Sequence, residues 1–154
     1  MKNVFLGITI AIFLLCGNAF AQSQPTADQK AIFALMTNVG KAWESRDVNK
    51  FADNLTEDCT HIDPQGVERK GREEVKKHLQ WVIDNMLQND NSKMDISDIS
   101  LRFVNSEAAL LSYLAKEAGK SIRQTVVLSK VKNDWKITSF QLTFVSEQTK
   151  TATK

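Results

Sequence analysis

Residues 59–66 read Cys59-Thr60-His61-Ile62-Asp63-Pro64-Gln65-Gly66, which is a short strand pattern followed by a turn. Successive side chains of a β-strand alternate between the two faces of its sheet, so Cys59, His61 and Asp63 are expected on one face. A proline with a glycine two residues later predicts a tight turn directly after Asp63. The stretch therefore predicts that a thiol, an imidazole and a carboxylate project together near the end of one strand.

Two helices are predicted before this strand and one after it. Thr26-x-x-Gln29 is a capping-box pattern, and apolar residues spaced three and four apart follow it as far as Trp43. Asp47 is placed to cap a second, short helix that reaches Leu55. The third helix is expected over residues 72–88, with apolar residues at positions 75, 79, 82, 83 and 86.

After Lys93 the apolar pattern changes from a helical period to a period of two, which predicts four long strands. A change of phase at Ser97-Asp98 predicts a β-bulge in the first of them. In the last strand, over residues 135–145, Ser139 and Gln141 are expected to share a face with Trp135. Helices first and antiparallel strands afterwards predict an α+β fold.

The two ends of the chain are predicted to lie outside the domain. Residues 1–21 carry one charge, an apolar run and a final Ala-Phe-Ala, which is the pattern of a cleaved signal peptide. A membrane anchor is the alternative, although the run is shorter than the roughly 20 apolar residues that span a bilayer; a lipoprotein anchor on Cys16 is a weaker one. We expect residues 22–25 to form a short leader, 26–146 the domain and 147–154 a polar tail. The expected protein is exported, periplasmic or secreted, and not membrane-bound after cleavage.

The composition of the 154-residue chain excludes some classes of protein. It has 20 Lys+Arg against 18 Asp+Glu, whereas nucleic-acid-binding domains usually show a strong basic excess, so no nucleic-acid partner is expected. Two cysteines are too few for a disulfide-stapled scaffold, and only Cys59 remains after removal of residues 1–21. Cys59 is then a buried apolar residue, an intermolecular link or a reactive thiol, and burial is favoured because free cysteines are usually buried.

Four short motifs follow one another along the chain: Trp43-Glu44-Ser45-Arg46-Asp47, then Phe51 with Leu55-Thr56-Glu57-Asp58, then His61-Ile62-Asp63-Pro64-Gln65-Gly66, and Gly71-Arg72-Glu73-Glu74. In this order and spacing they resemble the ketosteroid-isomerase and nuclear-transport-factor-2 superfamily, especially its SnoaL-like branch. The resemblance covers residues 26–145. It implies a cone-shaped roll, in which three N-terminal helices pack in a strongly curved antiparallel sheet. It also implies a pocket between sheet and helices, and a homodimer formed through the outer sheet face.

The resemblance implies a catalytic role for Asp63, because isomerases of the superfamily carry a proton-shuttling carboxylate before the proline of this turn. A carboxylate in an apolar pocket can have a raised pKa and act as a general base, here with His61. The alternative is that Asp63 only accepts hydrogen bonds from the turn. The isomerases also hold an oxyanion with a tyrosine and a protonated aspartate. In this resemblance the two positions fall near Val39 and Val127, neither of which can donate a side-chain hydrogen bond. A steroid isomerase is therefore not expected, and an enzyme would be a cofactor-independent isomerase, cyclase or dehydratase.

Metal binding is not expected either. The pattern Cys59-x-His61-x-Asp63 lacks the further ligands from elsewhere in the chain that zinc usually takes. The other histidine, His78, follows Lys76 and Lys77 and is expected on a solvated helix face. No cofactor is predicted.

Five residues are candidates for contacts with a ligand: Trp43, Cys59, Trp81, Tyr113 and Gln141. Aromatic walls with few polar groups suit a small apolar or aromatic ligand, although each single ring can equally belong to the core. The sequence leaves three functions open. They are a small-molecule-binding pocket, an acid–base enzyme that uses Asp63 and His61, and a dimerisation or interaction module.

Overall fold

The computed structural model describes residues 26–88, 94–117 and 119–146. The predicted signal peptide, leader and polar tail lie outside these residues. The elements are α1 (Ala27–Glu44), α2 (Val48–Ala52), β1 (Leu55–Ile62), β2 (Glu68–Lys70), α3 (Arg72–Met86), β3 (Asp95–Phe103), β4 (Ala108–Glu117), β5 (Lys120–Val131) and β6 (Asp134–Phe144). Helices packed against one curved six-stranded sheet confirm the predicted α+β fold.

The first two helices begin at the capping residues that the sequence indicates. The Thr26 hydroxyl accepts from the Gln29 amide at 3.2 Å, and the Gln29 side-chain oxygen accepts from the Thr26 amide at 2.7 Å. The Asp47 carboxylate accepts from the Lys50 amide at 3.0 Å and caps α2. This helix ends at Ala52 instead of reaching Leu55, because Leu55 already belongs to β1.

The sheet has the strand order β2-β1-β6-β5-β4-β3. All neighbouring strands are antiparallel except β1 and β6, which run parallel. Strand β2, which the sequence did not predict, returns along β1 after the turn and places Arg69 directly opposite His61. The turn itself forms as predicted, since the Gly66 amide donates to the Asp63 carbonyl at 2.9 Å.

Two irregularities change which side chains face the core. The predicted bulge in β3 is present, with a register shift between Ser97 and Ser100. A second shift lies in β6, where Ile137 pairs with Leu128 but Ser139 pairs with Val127. The extra residue reverses the alternation, so Phe140 is buried and the next inward residue is Leu142, while Gln141 is exposed. The prediction that Ser139 and Gln141 share the face of Trp135 is therefore wrong.

The core closes one end of the roll. Buried Ala109, Leu128 and Trp135 lie where β4 and β6 begin and where β5 ends. Trp135 donates through its indole nitrogen to the Asp28 carboxylate at 3.0 Å, which joins the first turn of α1 to β6. Within the part of the chain that is described, no helix combines the length and apolar composition needed to cross a membrane.

Candidate functional site

A cavity of about 1220 Å³ lies between the inner face of the sheet, α1 and α3. Its sheet side is formed by the opposite end of the roll from Trp135, where the bulge in β6 turns Phe140 and Leu142 inward. The cavity reaches the protein surface, because several of its lining residues are exposed apolar side chains. They are Phe33, Val67, Trp81, Met86, Ile96, Ile99 and Phe144.

Aromatic rings form a continuous row along the cavity. His61 stacks on Phe140 with ring centroids 4.3 Å apart, and His78 lies 5.4 Å from His61 on α3. Trp81 continues the row 6.1 Å beyond His78. In the other direction Phe51 lies 6.0 Å from Phe140. Trp43 meets Phe51 edge-on at 6.1 Å. The interplanar angles along the row from Phe140 to Trp81 are 21°, 31° and 13°, so neighbouring rings lie partly face to face.

The Asp63 carboxylate is buried, with 7% of the residue exposed, and both of its oxygens accept hydrogen bonds. Its Oδ1 accepts from the amides of Gln65 at 3.0 Å and Val67 at 2.9 Å, and its Oδ2 accepts from Arg69 at 2.9 Å. Burial raises the pKa of Asp63, but the hydrogen bonds from Val67, Arg69 and Gln65 outweigh it and hold the pKa below its ordinary value. The raised pKa that a general base at this position requires is therefore not found.

His61 is 2% exposed and neutral at pH 7. Burial lowers its pKa to about 4, although the hydrogen bond to the Phe140 carbonyl opposes this change. The Nδ1 atom lies 3.3 Å from that carbonyl oxygen. His61 thus contributes an uncharged ring edge to the cavity.

Residues 37–140 match the family model of the SnoaL-like domain. The chain belongs to the SnoaL-like family. No curated protein shows significant similarity to it.

Solved structures resemble this SnoaL-like domain in fold. A domain of unknown function with a cystatin-like fold from Nostoc punctiforme is 23% identical, with a TM-score of 0.70 over 82% of this chain and 83% of that one. An NTF2-like protein of unknown function from Pseudomonas putida is 16% identical, with a TM-score of 0.66 over 76% and 86% of the two chains. An NTF2-like protein from Cytophaga hutchinsonii is 15% identical, with a TM-score of 0.64 over 78% and 100%. At these identities the similarity shows the fold and nothing finer.

The SnoaL-like domain brings five of the seven predicted site residues to its cavity: Trp43, His61, Asp63, Trp81 and Tyr113. Trp81 is 54% exposed and lies where the cavity reaches the surface. Tyr113 is buried, and its hydroxyl donates to the side-chain oxygen of Gln124, its cross-strand partner, at 2.8 Å. Burial raises the pKa of Tyr113 well above its ordinary value, so the hydroxyl stays protonated.

Cys59 and Gln141 do not line the cavity. Cys59 shares a strand with His61 but is fully buried, and its own carbonyl accepts from the Gly71 amide at the start of α3. Burial raises the pKa of its thiol to about 12. Cys59 is therefore a buried apolar residue, as favoured from the sequence, and not a reactive thiol. Gln141 is exposed because the bulge in β6 turns it away from the cavity.

Two residues at the cavity were missed by sequence reasoning, His78 and Arg69. The expectation that His78 lies on a solvated face is wrong, since it is half-buried between His61 and Trp81. Its position three residues after Val75 and four before Val82 would have placed it on the apolar face. Burial, followed by the nearby Arg69, lowers its pKa. Arg69 could be placed only once β2 was known to pair with β1.

The side chains that could ligate a metal lie apart from one another in the described residues. Among residues 26–88, 94–117 and 119–146, no three histidine, cysteine, aspartate or glutamate side chains converge as metal ligands would. Cys59 is turned into the core, so the three side chains of the Cys59-x-His61-x-Asp63 pattern do not face one shared space.

Proposed function

We propose that this SnoaL-like protein binds a small apolar or aromatic molecule in the cavity between the sheet, α1 and α3. The observation that carries the proposal is the cavity itself, about 1220 Å³ in volume with a largely apolar lining. Ligand sites are typically concave, mostly apolar and of about 300–1,000 Å³. This cavity is somewhat larger than that range.

The few polar groups at the cavity support the same proposal. Two clusters of polar side chains belong to the lining, His61 with Arg69 and His78, and Tyr113 with Gln124. A small number of fixed polar groups in an apolar wall is the arrangement that orients a ligand and selects among similar molecules. A cavity filled by packed side chains would not have this volume.

Native mass spectrometry of the protein purified from the periplasm or the medium tests this function. We expect a retained small molecule in the wild-type protein and in Gln141→Glu, where the new carboxylate points outward. We expect its loss in Leu142→Glu, where the carboxylate enters the apolar wall one residue further along β6. Equal retention in the two variants would contradict binding in this cavity.

A second candidate function is cofactor-independent isomerase or lyase chemistry. Asp63 is poorly suited to accept a proton because its oxygens are occupied and its pKa is lowered. His61 lines the cavity and is the remaining proton acceptor for this second candidate, but its pKa of about 4 makes it a weak base at pH 7. Under this hypothesis, turnover of the retained molecule is lost in His61→Phe and survives in Asp63→Asn.

We also propose export of the protein and a homodimer formed through the outer face of the sheet. The charge and apolar pattern of residues 1–21 supports export. The exposed Val127 supplies apolar surface on the outer face. Mass determination of the mature N-terminus tests export, and light scattering tests the dimer; an intact Met1 in the exported fraction or a strict monomer would contradict them.

A further inference from the structure

The hydrogen bond between His61 and Phe140 determines which ring nitrogen of His61 carries the hydrogen. The Phe140 carbonyl oxygen can only accept, and it lies 3.3 Å from Nδ1 of His61. The neutral ring carries one N–H, so the hydrogen is assigned to Nδ1. The Nε2 atom then carries a lone pair and can only accept a hydrogen bond.

The Nε2 atom is held in place, and no donor of the described residues binds it. Phe140 stacks on one side of the ring and His78 packs against it. Within the described residues Nε2 has no hydrogen-bond partner, although His61 is 2% exposed and lines the cavity. Nε2 does not belong to the fully enclosed polar atoms of the described residues that lack a partner, so a donor on a molecule bound in the cavity can reach it.

The charged side chains near His61 are paired with one another. Asp63, which follows β1, pairs with Arg69 on β2 at 2.9 Å, and Glu74 pairs with Lys77 on α3 at 2.7 Å. The charged residues elsewhere on the cavity lining are solvent-exposed: Lys41 and Glu44 on α1 and Lys120 on β5. A charged ligand group beside His61 would lose hydration without meeting an unpaired opposite charge.

We infer that the cavity binds an uncharged apolar molecule with a hydroxyl group that donates its hydrogen to Nε2 of His61. This inference rests on the proposed binding function and specifies the ligand class. The apolar lining holds the body of the molecule, and His61 fixes the position of its hydroxyl. Arg69, directly opposite His61 in the β1–β2 register, lies beside the same point and is itself held by Asp63.

Isothermal titration calorimetry with three related probes tests this inference at pH 7. 2-Naphthol has the hydroxyl donor, 2-methoxynaphthalene keeps the ring and oxygen without the donor, and 2-naphthoate carries a charge. We expect 2-naphthol to bind about threefold to tenfold more tightly than 2-methoxynaphthalene, the range that one net hydrogen bond provides. 2-Naphthoate should bind more weakly than both.

Two variants test whether His61 causes the preference for 2-naphthol over 2-methoxynaphthalene. His61→Phe keeps a ring against Phe140 but removes Nε2, so the two neutral probes should bind it equally. Gln141→Leu is the control, because Gln141 is exposed and does not line the cavity, and it should keep the preference for 2-naphthol. If His61→Phe does not fold, the comparison of the three probes on the wild-type protein still decides the question.

The outcomes separate this inference from the proposed function. Equal binding of the two neutral probes by the wild-type protein, or tighter binding of 2-naphthoate, overturns the inference and leaves a binding cavity. A preference that persists in His61→Phe overturns the role of His61. Absence of binding by all three probes overturns the inference and counts against the proposed function as well.

Discussion

The Nη1 atom of Arg69 lies 2.9 Å from Oδ2 of Asp63, and the two residues stand on opposite sides of one turn. Arg69 also donates to the Val67 carbonyl at 3.3 Å, while Asp63 accepts from the Val67 amide at 2.9 Å. The pair therefore closes the β1–β2 hairpin and holds Arg69 beside His61. It also explains why a carboxylate at this buried position stays ionised.

Replacement of Asp63 should destabilise the hairpin. Asp63→Ala removes three hydrogen bonds and leaves Arg69, whose side chain is 25% exposed, without its acid. We expect a loss of about 2–4 kcal/mol in the free energy of unfolding, measured in urea. Asp63→Asn should cost less, because its amide oxygen can still accept from the turn.

The control for this hairpin is Glu68→Ala. Glu68 pairs with Lys70 at 3.2 Å, but both side chains are largely exposed. Exposed pairs contribute about 0–1 kcal/mol, so this change should be small. Equal losses in Asp63→Ala and Glu68→Ala would show that the buried pair does not stabilise the hairpin.

The stability of the protein should decrease in mildly acidic solution because of His61. Its pKa is about 4 in the folded protein against an ordinary 6.5, so only the unfolded chain takes up the proton between these values. The free energy of unfolding should fall by about 3 kcal/mol from pH 6.5 to pH 4 and show no further His61 contribution below that range.

His61→Phe separates this effect from other acid-dependent losses. The variant should have a flatter dependence of unfolding free energy on pH between 6.5 and 4. His78→Phe should flatten it less, because His78 is only half-buried and its pKa is lowered too. The loss below pH 4 from protonation of Asp63 should remain in both variants. An unchanged slope in His61→Phe would contradict a neutral, buried His61.

Cys59 should be unreactive in the folded protein. Its side chain is fully buried, and the raised pKa of its thiol, about 12, leaves almost no thiolate at pH 8. Alkylation with iodoacetamide followed by peptide mapping should label Cys59 only after unfolding in guanidinium. The mapping keeps Cys59 apart from Cys16 if residues 1–21 are retained. Rapid labelling of Cys59 under native conditions would show that this part of the core opens.

The contact between Asp28 and Trp135 should stabilise the closed end of the roll. Asp28 accepts from the Trp135 indole and from Lys130, both at 3.0 Å, and the Trp135 hydrogen bond is the main cause of its lowered pKa. Asp28→Ala should therefore lower the Tm. Glu73→Ala removes an acid from the first turn of α3 but only a 3.8 Å ion pair, and should lower it less. If the two variants lowered the Tm equally, the effect of Asp28→Ala would come from the helix dipole and not from the contact with Trp135.

Local signals in the sequence were enough to place most elements. Thr26 with Gln29 and Asp47 with Lys50 act within one helical turn, so their capping roles are visible without any tertiary contact. The bulge in β3 appears as a change in apolar phase. A similar change follows Thr138 in β6, where Phe140 and Leu142 succeed Ile137, but the polar Gln141 between them hides it.

The sequence by itself determined the capped helices, the alternation that puts His61 and Asp63 on one face, and the turn after Asp63, because each depends on residues a few positions apart. Only the tertiary structure decided what those side chains meet. Arg69 reaches Asp63 through the β1–β2 register, and His61 is enclosed by Phe140 from β6 and His78 from α3. Partners distant in the chain thus set the charge of each group, since burial and hydrogen bonding, rather than residue type, determine which protonation state is favoured.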